Sequence, residues 1–290
     1  MAQQKVINAA LAGTIEIGGD LTVNRFGFGA MRLTGEGIWG EPADREEAKR
    51  VLRRAIDLGI NFIDTADSYG PEVSERLIAE TLHPYPDDLV IATKGGLTRP
   101  GPGQWAPNGR PEYLRQQLES SLKRLRVDEI DVYQFHRPDP KVPFEESVGA
   151  LVQLKDEGKI HHIGLSNVTG DELRRAEKLT PIVSIQNRYN VLDRESEPVL
   201  EQCSQEDIAF IPWRPVGGGE LSEHSLLQDL AKKYRATPAQ IALAWLLSHS
   251  PVMLPIAGTS KVSHLEENLG AVALEVAPAD LAELDKLGED

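Results

Sequence analysis

Short apolar segments alternate with amphipathic segments eight times along this chain, and this alternation constrains the fold more than any other feature. The first apolar segment begins near Phe26, and the others end near Asp64, Lys94, His136, Ser166, Gln186, Trp213 and Ile256. Each is followed by a segment in which apolar residues recur at helical spacing, such as residues 48–59. Eight such units predict an α/β fold, the (β/α)8 TIM barrel, rather than an open sheet.

A β-hairpin is predicted before the first barrel strand, where it would close the barrel floor. Within residues 13–24, apolar and polar residues alternate on both sides of Gly18 and Gly19. Asp44 and Glu47 are three residues apart and predict a capping box at the first helix. Because 290 residues are an ordinary length for one barrel, we expect a single domain over residues 1–290.

Composition excludes several classes of partner and favours the cytoplasm. A net charge of −14 argues against non-specific binding to nucleic acid or to an anionic membrane. Cys203 is the single cysteine, so no intrachain disulfide can form, and we interpret it as a small buried residue on a helix. The sequence shows neither a signal-peptide pattern nor an apolar run long enough to span a membrane. We therefore expect a soluble, cytoplasmic protein.

Four chemically active side chains follow the ends of three consecutive predicted strands. Asp64 and Tyr69 follow one strand, and Lys94 and His136 end the next two. Since the carboxyl ends of parallel strands receive ligands in such folds, these side chains are expected at one rim. A buried lysine needs a counter-charge, which Asp64 could supply, and its ammonium group would then make Tyr69 a better proton donor. The alternative is that Asp64 caps a turn and Tyr69 is an ordinary half-buried aromatic residue.

At this point the sequence resembles the aldo-keto reductases. The resemblance is carried by NFIDTADSYG, ATKGG, DVYQFHRPD, GKIHHIGLSN and IAGTSKVSHLEEN, in that order, and runs from about Phe26 to Asn268. It implies a barrel that reduces aldehydes and ketones with NAD(P)H. Tyr69 would protonate the carbonyl oxygen, Lys94 and Asp64 would tune Tyr69, and His136 would orient the carbonyl group.

The same resemblance implies which residues contact the cofactor. Ser166, Asn167 and Gln186 would bind the nicotinamide carboxamide, and Trp213 would stack on the ring in place of the family's usual tyrosine. The full expected set is Gly29, Met31, Ser166, Asn167, Gln186, Trp213, Arg214, Pro215, Val216, Gly217, Gly218, Leu221, Ile256, Gly258, Thr259, Ser260, Lys261, His264, Glu267 and Asn268. Thr169 is explained equally well as a helix cap.

Two segments of this set could meet phosphate groups. The glycines after Arg214 would let the backbone approach a pyrophosphate, although an empty surface loop is the alternative. Arg214 itself is either a pyrophosphate clamp or a solvent-facing charge. Gly258, Thr259 and Ser260 lead into a helix start, which favours an anion, although a merely capped helix has the same pattern.

We expect NADP(H) as the cofactor, with NAD(H) left open. NADPH-selective relatives commonly have a lysine in place of Gly258 and an arginine in place of His264, so Lys261 would have to supply the charge for a 2′-phosphate. No metal is expected, because His161 and His162 are adjacent on a strand and should face opposite sides. The segment Gly27–Gly29 lacks the third glycine of a dinucleotide fingerprint.

Trp39 and Trp105 lie in loops rich in glycine and proline and are either walls of the substrate pocket or loop anchors. The expected substrate is a small carbonyl compound, and the expected state is a monomer or weak oligomer. By overall motif resemblance the nearest subgroup is the bacterial pyridoxal-reductase-like (pyridoxine 4-dehydrogenase) group. A cofactor-sensing binding protein of the channel β-subunit type is the alternative. Lyase or Schiff-base chemistry on Asp64 and Lys94 is a further alternative.

Overall fold

The strands and helices follow the predicted alternation. The computed structural model describes residues 7–288. The strands are β1 (Thr14–Ile17), β2 (Leu21–Asn24), β3 (Phe28–Gly29), β4 (Phe62–Asp64), β5 (Val90–Gly95), β6 (Leu97–Thr98), β7 (Ala106–Pro107), β8 (Ile130–Phe135), β9 (Ile160–Ser166), β10 (Ser184–Gln186) and β11 (Ala209–Phe210). The α-helices are α1 (Arg45–Asp57), α2 (Val73–Leu82), α3 (Pro111–Leu125), α4 (Phe144–Asp156), α5 (Gly170–Glu177), α6 (Glu197–Gln205), α7 (Glu220–Glu223), α8 (Ser225–Tyr234), α9 (Pro238–His249), α10 (Val262–Leu269) and α11 (Pro278–Asp285).

Seven parallel strands form a curled sheet in the order β3-β4-β5-β8-β9-β10-β11. The segment expected as the eighth strand bridges the two edges, because Met253 pairs with Phe210 and Ile256 pairs with Gly27. Pro255 has no N–H group, so this segment cannot form a continuous ladder, but its carbonyl oxygen accepts from Gly27 N at 2.9 Å. The predicted (β/α)8 barrel is therefore confirmed, although its eighth strand is reduced to isolated β-bridges.

Two other predicted strands are shorter than expected. After Gly29 the chain turns into a 3-10 helix over Ala30–Leu33, so the first strand does not continue to the predicted end. The seventh strand stops at Phe210, and Trp213 joins the sheet only through a bridge to Arg188. Pro212 explains this interruption because it cannot donate to a ladder.

The predicted hairpin closes the barrel floor. Strands β1 and β2 pair antiparallel, with Ile17 opposite Leu21 across the three-residue turn Gly18–Asp20. Ile17 and Val23 are fully buried and belong to the apolar cluster that fills the barrel, together with Phe62 and Val132. Burial of this kind contributes roughly 1.5–3 kcal/mol per large apolar side chain to the stability of the folded state.

The helices surround the sheet, and their caps differ from the prediction at one place. Thr169 and Glu172 form a complete capping box at α5, so capping accounts for Thr169. Asp44 accepts a hydrogen bond from Glu47 N at 2.8 Å, but Glu47 does not return it. The Glu47 carboxylate instead accepts from Val262 N at 3.0 Å, because the start of α10 lies beside α1. The capping box predicted for α1 is therefore only half formed.

Two further sequence expectations concern membranes and Cys203. No helix within residues 7–288 combines the length and apolarity that crossing a bilayer requires. Cys203 is buried in α6, and burial raises the pKa of its thiol well above the ordinary value. Its interpretation as a buried structural residue agrees with this environment.

Candidate active site

The four predicted catalytic side chains lie together at the carboxyl ends of β4, β5 and β8. Lys94 Nζ donates to Asp64 Oδ2 at 2.7 Å and to the carbonyl oxygen of Thr65 at 2.8 Å. The same nitrogen lies 3.3 Å from the Tyr69 hydroxyl. The Tyr69 and His136 rings meet edge to face with centroids 5.9 Å apart. Because all four side chains are buried, their charges interact more strongly than they would in water.

The second carboxylate oxygen of Asp64 is held by two glutamines. Gln186 Nε2 donates to Asp64 Oδ1 at 2.7 Å, and Gln134 Nε2 donates to the same atom at 3.1 Å. Gln134 was not predicted from the sequence. Gln134 is on β8 and His136 directly follows this strand in extended pairing with Gly95, so alternation places both side chains on the same face and could have indicated Gln134. The buried ion pair is thus fully hydrogen-bonded, which is the condition for such a pair to be tolerated.

The environment of Tyr69 shifts its pKa in the direction opposite to the prediction. Burial raises the pKa of the Tyr69 phenol above its ordinary value, and attraction of the phenolate to Lys94 offsets this only in part. The expected lowering is therefore wrong, because the loss of water around the phenolate outweighs the nearby ammonium group. Tyr69 is consequently a neutral phenol at neutral pH and holds a proton that it can donate.

Lys94 remains charged despite its complete burial. Burial opposes the ammonium form, but attraction to Asp64 and to Tyr69 outweighs it and raises the pKa of Lys94 above its ordinary value. The site therefore presents a fixed positive charge beside the Tyr69 hydroxyl. Any negative charge that develops on the Tyr69 oxygen is stabilised by this charge.

His136 is neutral in the folded protein. Burial and the nearby charges of Lys94, Arg137 and Arg99 hold the pKa of its imidazole well below the ordinary value. Its Nδ1 lies 3.4 Å from the Ser68 hydroxyl. If this hydroxyl donates to Nδ1, the imidazole proton resides on Nε2, which can then donate a hydrogen bond.

The depressed pKa of His136 predicts how stability changes with pH. Below the unfolded pKa of about 6.5 the unfolded chain binds a proton that the folded protein does not, so the free energy of unfolding falls as the pH falls. Protonation of His136 in the unfolded chain lowers the free energy of unfolding by an amount that approaches about 1.4 kcal/mol for each pH unit. His136→Gln should remove this part of the slope in urea titrations between neutral and acidic pH. Equal slopes for the two proteins would contradict the assignment of a neutral, buried imidazole.

A cleft of about 600 Å³, measured out to bulk solvent, opens beside Tyr69. It is lined by Gly29, Met31, Arg32, Asp64, Tyr69, Gln186, Trp213, Arg214, Pro215, Val216, Gly218, Ile256 and Gly258. Apart from Arg32, every lining residue was named from the sequence as a catalytic or cofactor residue. The other residues of the expected cofactor set do not line it: Ser166, Asn167, Gly217, Leu221, Thr259, Ser260, Lys261, His264, Glu267 and Asn268.

The residues expected to bind a carboxamide form a hydrogen-bonded group beside the cleft. Ser166 Oγ donates to the carbonyl oxygen of Gln186 at 2.8 Å, and Asn167 Nδ2 donates to Ser166 Oγ at 2.9 Å. Asn167 Oδ1 accepts from Trp213 Nε1 at 3.1 Å, which fixes the edge of the indole that borders the cleft. This network orients the side chains, and their expected role toward the cofactor stays a prediction.

The glycine loop presents its backbone to the cleft. Gly217, Gly218 and Gly219 all have positive φ, at 61°, 69° and 117°, so residues with side chains would be strained there. The guanidinium of Arg214 lies over this loop, and a Cβ at Gly218 would be 2.5 Å from Arg214 Nη2. Leu221 is buried in the main core, so its side chain belongs to the packing of this region.

Two arginines give the cleft its positive charge. Arg32 and Arg214 both line it, and neither pairs with a carboxylate among residues 7–288. Guanidinium groups that have no carboxylate partner and lie beside an exposed glycine backbone are the donors that a phosphate or pyrophosphate prefers. The residues present therefore fit a dinucleotide cofactor. Arg32 was not predicted from the sequence: in a strand it would face away from Met31, whereas the 3-10 helix over Ala30–Leu33 allows both residues to line the cleft.

The helix start expected to bind phosphate differs from the prediction in one respect. Val262 N, at the beginning of α10, is already occupied by the carboxylate of Glu47. Thr259 Oγ1 accepts from Lys261 N at 3.1 Å, and the side chains of Lys261 and His264 are exposed. A Cβ at Gly258 would lie 2.3 Å from the carbonyl oxygen of Gly29, so the chain has no room there for the lysine of some relatives.

Arg99 joins the two tryptophans expected at the pocket. Its guanidinium lies 3.7 Å from the Trp105 ring centroid and 5.5 Å from that of Trp39. Trp105 also lies near the tetrad, 6.3 Å from the Tyr69 ring and 6.4 Å from the His136 ring. Arg99 donates to the carbonyl oxygens of Gly37, Ile38, Ser68 and Gln104 at 2.7–3.0 Å. Arg99 was not named from the sequence, and no local pattern there indicates these distant partners.

Arg99→Met should disturb this pocket without removing a catalytic group. Four backbone carbonyl groups would lose their donor, and Trp105 would lose the cation against its face. We expect kcat/KM for the carbonyl substrate to fall about 10- to 100-fold, mainly through KM, while cofactor affinity is retained. Arg53→Met, an exposed change on α1, is the matched control. Unchanged kinetics in the Arg99 variant would show that the pocket does not depend on this residue.

Comparisons with known proteins agree with this geometry. The model of the aldo/keto reductase family matches residues 25–289. The chain is 50% identical over 289 residues to an uncharacterized oxidoreductase of Schizosaccharomyces pombe, covering 99% of this chain and 94% of the relative. It is 41% identical over 278 residues to pyridoxine 4-dehydrogenase of Escherichia coli, covering 94% and 97%. An aldo-keto reductase from Klebsiella pneumoniae, solved in complex with NADPH, is 26% identical with a TM-score of 0.79 and 94% of each chain covered.

Proposed function

Because this chain belongs to the aldo/keto reductase family, we propose that it reduces aldehydes and ketones to alcohols with NADPH, using Tyr69 as the proton donor. One observation carries the proposal. Lys94 Nζ is shared between Asp64 Oδ2 at 2.7 Å and the Tyr69 hydroxyl at 3.3 Å, at the wall of the cleft. A lysine that only neutralised Asp64 would not need to contact a phenol. The enzyme class, an NAD(P)H-dependent oxidoreductase, follows from the family.

The cofactor supplies a hydride to the carbonyl carbon when it is bound. Arg32, Arg214 and the glycine loop are placed to hold its phosphates, and Trp213 offers an indole face beside the cleft. Gln186, Ser166 and Asn167 would orient the carboxamide from the side of β9 and β10. These assignments rest on the geometry and on the family resemblance together.

Proton transfer is assigned to Tyr69. Its phenol is neutral and buried, so it can donate to the carbonyl oxygen as negative charge develops there. The ammonium of Lys94 stabilises the phenolate that forms, and Asp64 keeps that ammonium charged and in place. His136 is neutral, and in the tautomer that carries its proton on Nε2 it would donate a second hydrogen bond to the carbonyl oxygen and fix its direction. Burial of the four side chains excludes water that would compete for these hydrogen bonds.

Pyridoxal is the substrate that we propose to test first. The E. coli relative is a pyridoxine 4-dehydrogenase, and Trp105 lies near Tyr69 and His136, where its indole could contact a planar aromatic substrate. Oxidation of NADPH and NADH should be measured across a panel of aldehydes that includes pyridoxal. Turnover with pyridoxal well above that with simple aliphatic aldehydes supports the substrate. Tight cofactor binding without turnover on any member would instead favour the cofactor-sensing alternative.

A lyase using Asp64 and Lys94 would need no nicotinamide. Titration with NADPH should quench the fluorescence of Trp213, and Trp213→Phe should reduce that quenching. A protein that shows no quenching, yet cleaves its substrate, would exclude the proposed reaction.

Selectivity for NADPH should depend on Lys261. If its ammonium meets the 2′-phosphate, Lys261→Ala should raise KM for NADPH about tenfold and leave KM for NADH unchanged. Glu47 belongs to α1, but its carboxylate accepts from Val262 N at the start of α10, next to Lys261, so Glu47→Gln should lower KM for NADPH by about two- to fivefold. Steady-state kinetics with both cofactors test this pair. Equal effects on the two cofactors would place the 2′-phosphate elsewhere, with Arg32 the next residue to examine.

A cytoplasmic location and a monomer or weak oligomer complete the proposal. The single cysteine suits a reducing compartment. The state of assembly can be measured by sedimentation.

A further inference from the structure

Three possible metal ligands meet at the barrel floor, on the side opposite the candidate active site. Asp20 lies in the turn of the β1–β2 hairpin, and His161 and His162 begin β9. The sequence predicted that the two imidazoles face opposite sides of the strand. Alternation along the strand holds, but it does not keep the two imidazoles apart, because the hairpin turn places the Asp20 carboxylate within reach of both rings.

The distances define a compact group. His161 Nε2 lies 2.8 Å from Asp20 Oδ2, and His162 Nε2 lies 2.6 Å from Asp20 Oδ1. The two ring centroids are 4.3 Å apart, and three potential ligand atoms, one from each residue, lie within 4.8 Å of one another. Ligands bonded to zinc at about 2.0–2.1 Å in a tetrahedron are separated by roughly 3.3 Å. Small side-chain rotations would therefore bring these atoms to bonding positions.

His162, the buried residue of this group, is held in place by its packing even without a bound ion. Gly18 has a φ of 66°, and a Cβ there would lie 2.3 Å from His162 Cε1, so the turn packs directly on the imidazole. His162 is largely buried, whereas Asp20 is exposed and His161 is partly exposed. An ion could thus enter from solvent and meet one fixed ligand and two adjustable ones.

The charges nearby favour a cation. Glu129 Oε2 lies 3.9 Å from His161 Nδ1 and adds a negative charge beside the ring. Asp131, on β8, is a further acidic group close enough to interact with both histidines. Lys155 is the opposing charge and borders the same open cleft as His162.

We propose that Asp20, His161 and His162 bind one divalent first-row transition-metal ion, and that this ion fastens the hairpin to the barrel floor. Two imidazoles and one carboxylate, without a thiolate, suit zinc, and water would complete the coordination. Binding replaces the hydrogen bonds between the imidazoles and Asp20: a neutral imidazole then carries its proton on Nδ1, and an imidazolium releases one proton to solvent. The site is separate from the tetrad and takes no part in the proposed reduction.

The test is zinc binding to protein that has been stripped with a chelator and dialysed. Calorimetry should give one zinc per chain, zinc should raise Tm, and cobalt at the same site should give a visible absorption band. Asp20→Asn, His161→Gln and His162→Gln should each weaken zinc binding at least about tenfold. His83→Gln, remote on the chain at the end of α2, and His136→Gln in the candidate active site should leave the affinity unchanged.

Two results would overturn the proposal. Zinc that leaves Tm unchanged would mean that the three residues form only an ion pair between the hairpin and β9. Zinc binding that is equally strong in the Asp20 and His161 variants would place the ion elsewhere. Both of these residues have exposed area, so their variants keep the test decisive even if His162→Gln does not fold.

Discussion

Tyr69→Phe is expected to lower the turnover of carbonyl reduction by about 10²- to 10⁴-fold while cofactor affinity is nearly unchanged. The substitution removes only the hydroxyl that lies 3.3 Å from Lys94 Nζ, and it leaves the ion pair of Lys94 with Asp64 in place. The ring would still fill its position against Trp105 and His136. Single-turnover NADPH oxidation and fluorescence titration with NADP⁺ measure the two quantities separately.

The matched control is Tyr85→Phe. The Tyr85 hydroxyl donates to the carbonyl oxygen of Leu125 at 2.7 Å, away from the cleft, so its loss should leave turnover unchanged. If the Tyr69 variant retained most of its activity, another group would have to supply the proton. His136 would be the next candidate to examine, since its ring adjoins that of Tyr69.

Lys94→Met is expected to affect both stability and turnover. It would leave Asp64 buried without its counter-charge, and removing one partner of such a pair typically lowers the free energy of unfolding by about 3–5 kcal/mol. The two glutamines that donate to Asp64 Oδ1 cannot replace the ammonium at Oδ2. Turnover should fall as well, because the phenolate of Tyr69 would lose the charge that stabilises it.

Urea unfolding measures the stability effect, and the Asp64→Asn/Lys94→Met double variant separates it from catalysis. The double variant buries no charge at this position, so it should recover much of the lost stability without recovering turnover. A single Lys94 variant as stable as the parent protein would contradict a buried, charged pair. Recovery of turnover in the double variant would remove Lys94 from the mechanism.

The convergence of the tetrad could be predicted because it depends on local rules. Asp64, Lys94 and His136 each lie within one residue of the carboxyl end of a parallel strand, and the carboxyl ends of neighbouring strands meet at one rim of a barrel. Gln134 could have been named by the same reasoning, since it shares a strand face with His136. The barrel and the hairpin at its floor could likewise be predicted from the alternation of apolar and polar residues.

Other features depend on contacts between distant segments and could not be predicted from the sequence. The direction of the Tyr69 pKa shift follows from how completely the site is buried, which no local pattern gives. Glu47 contacts Val262 across 215 positions of sequence, so the expected capping box was only half formed. His161 and His162 obey strand alternation, yet Asp20 reaches both because the hairpin turn lies beneath the start of β9.

The most direct test of the central claim follows the hydride and depends on Tyr69. Wild-type protein should be mixed, in a single turnover, with an aldehyde substrate and NADPH that carries deuterium at the transferred position of nicotinamide C4. We predict an alcohol with deuterium on its carbinol carbon, formed by the wild-type protein and not, within the same time, by Tyr69→Phe. An unlabelled alcohol, or equal rates for the two proteins, would contradict the account.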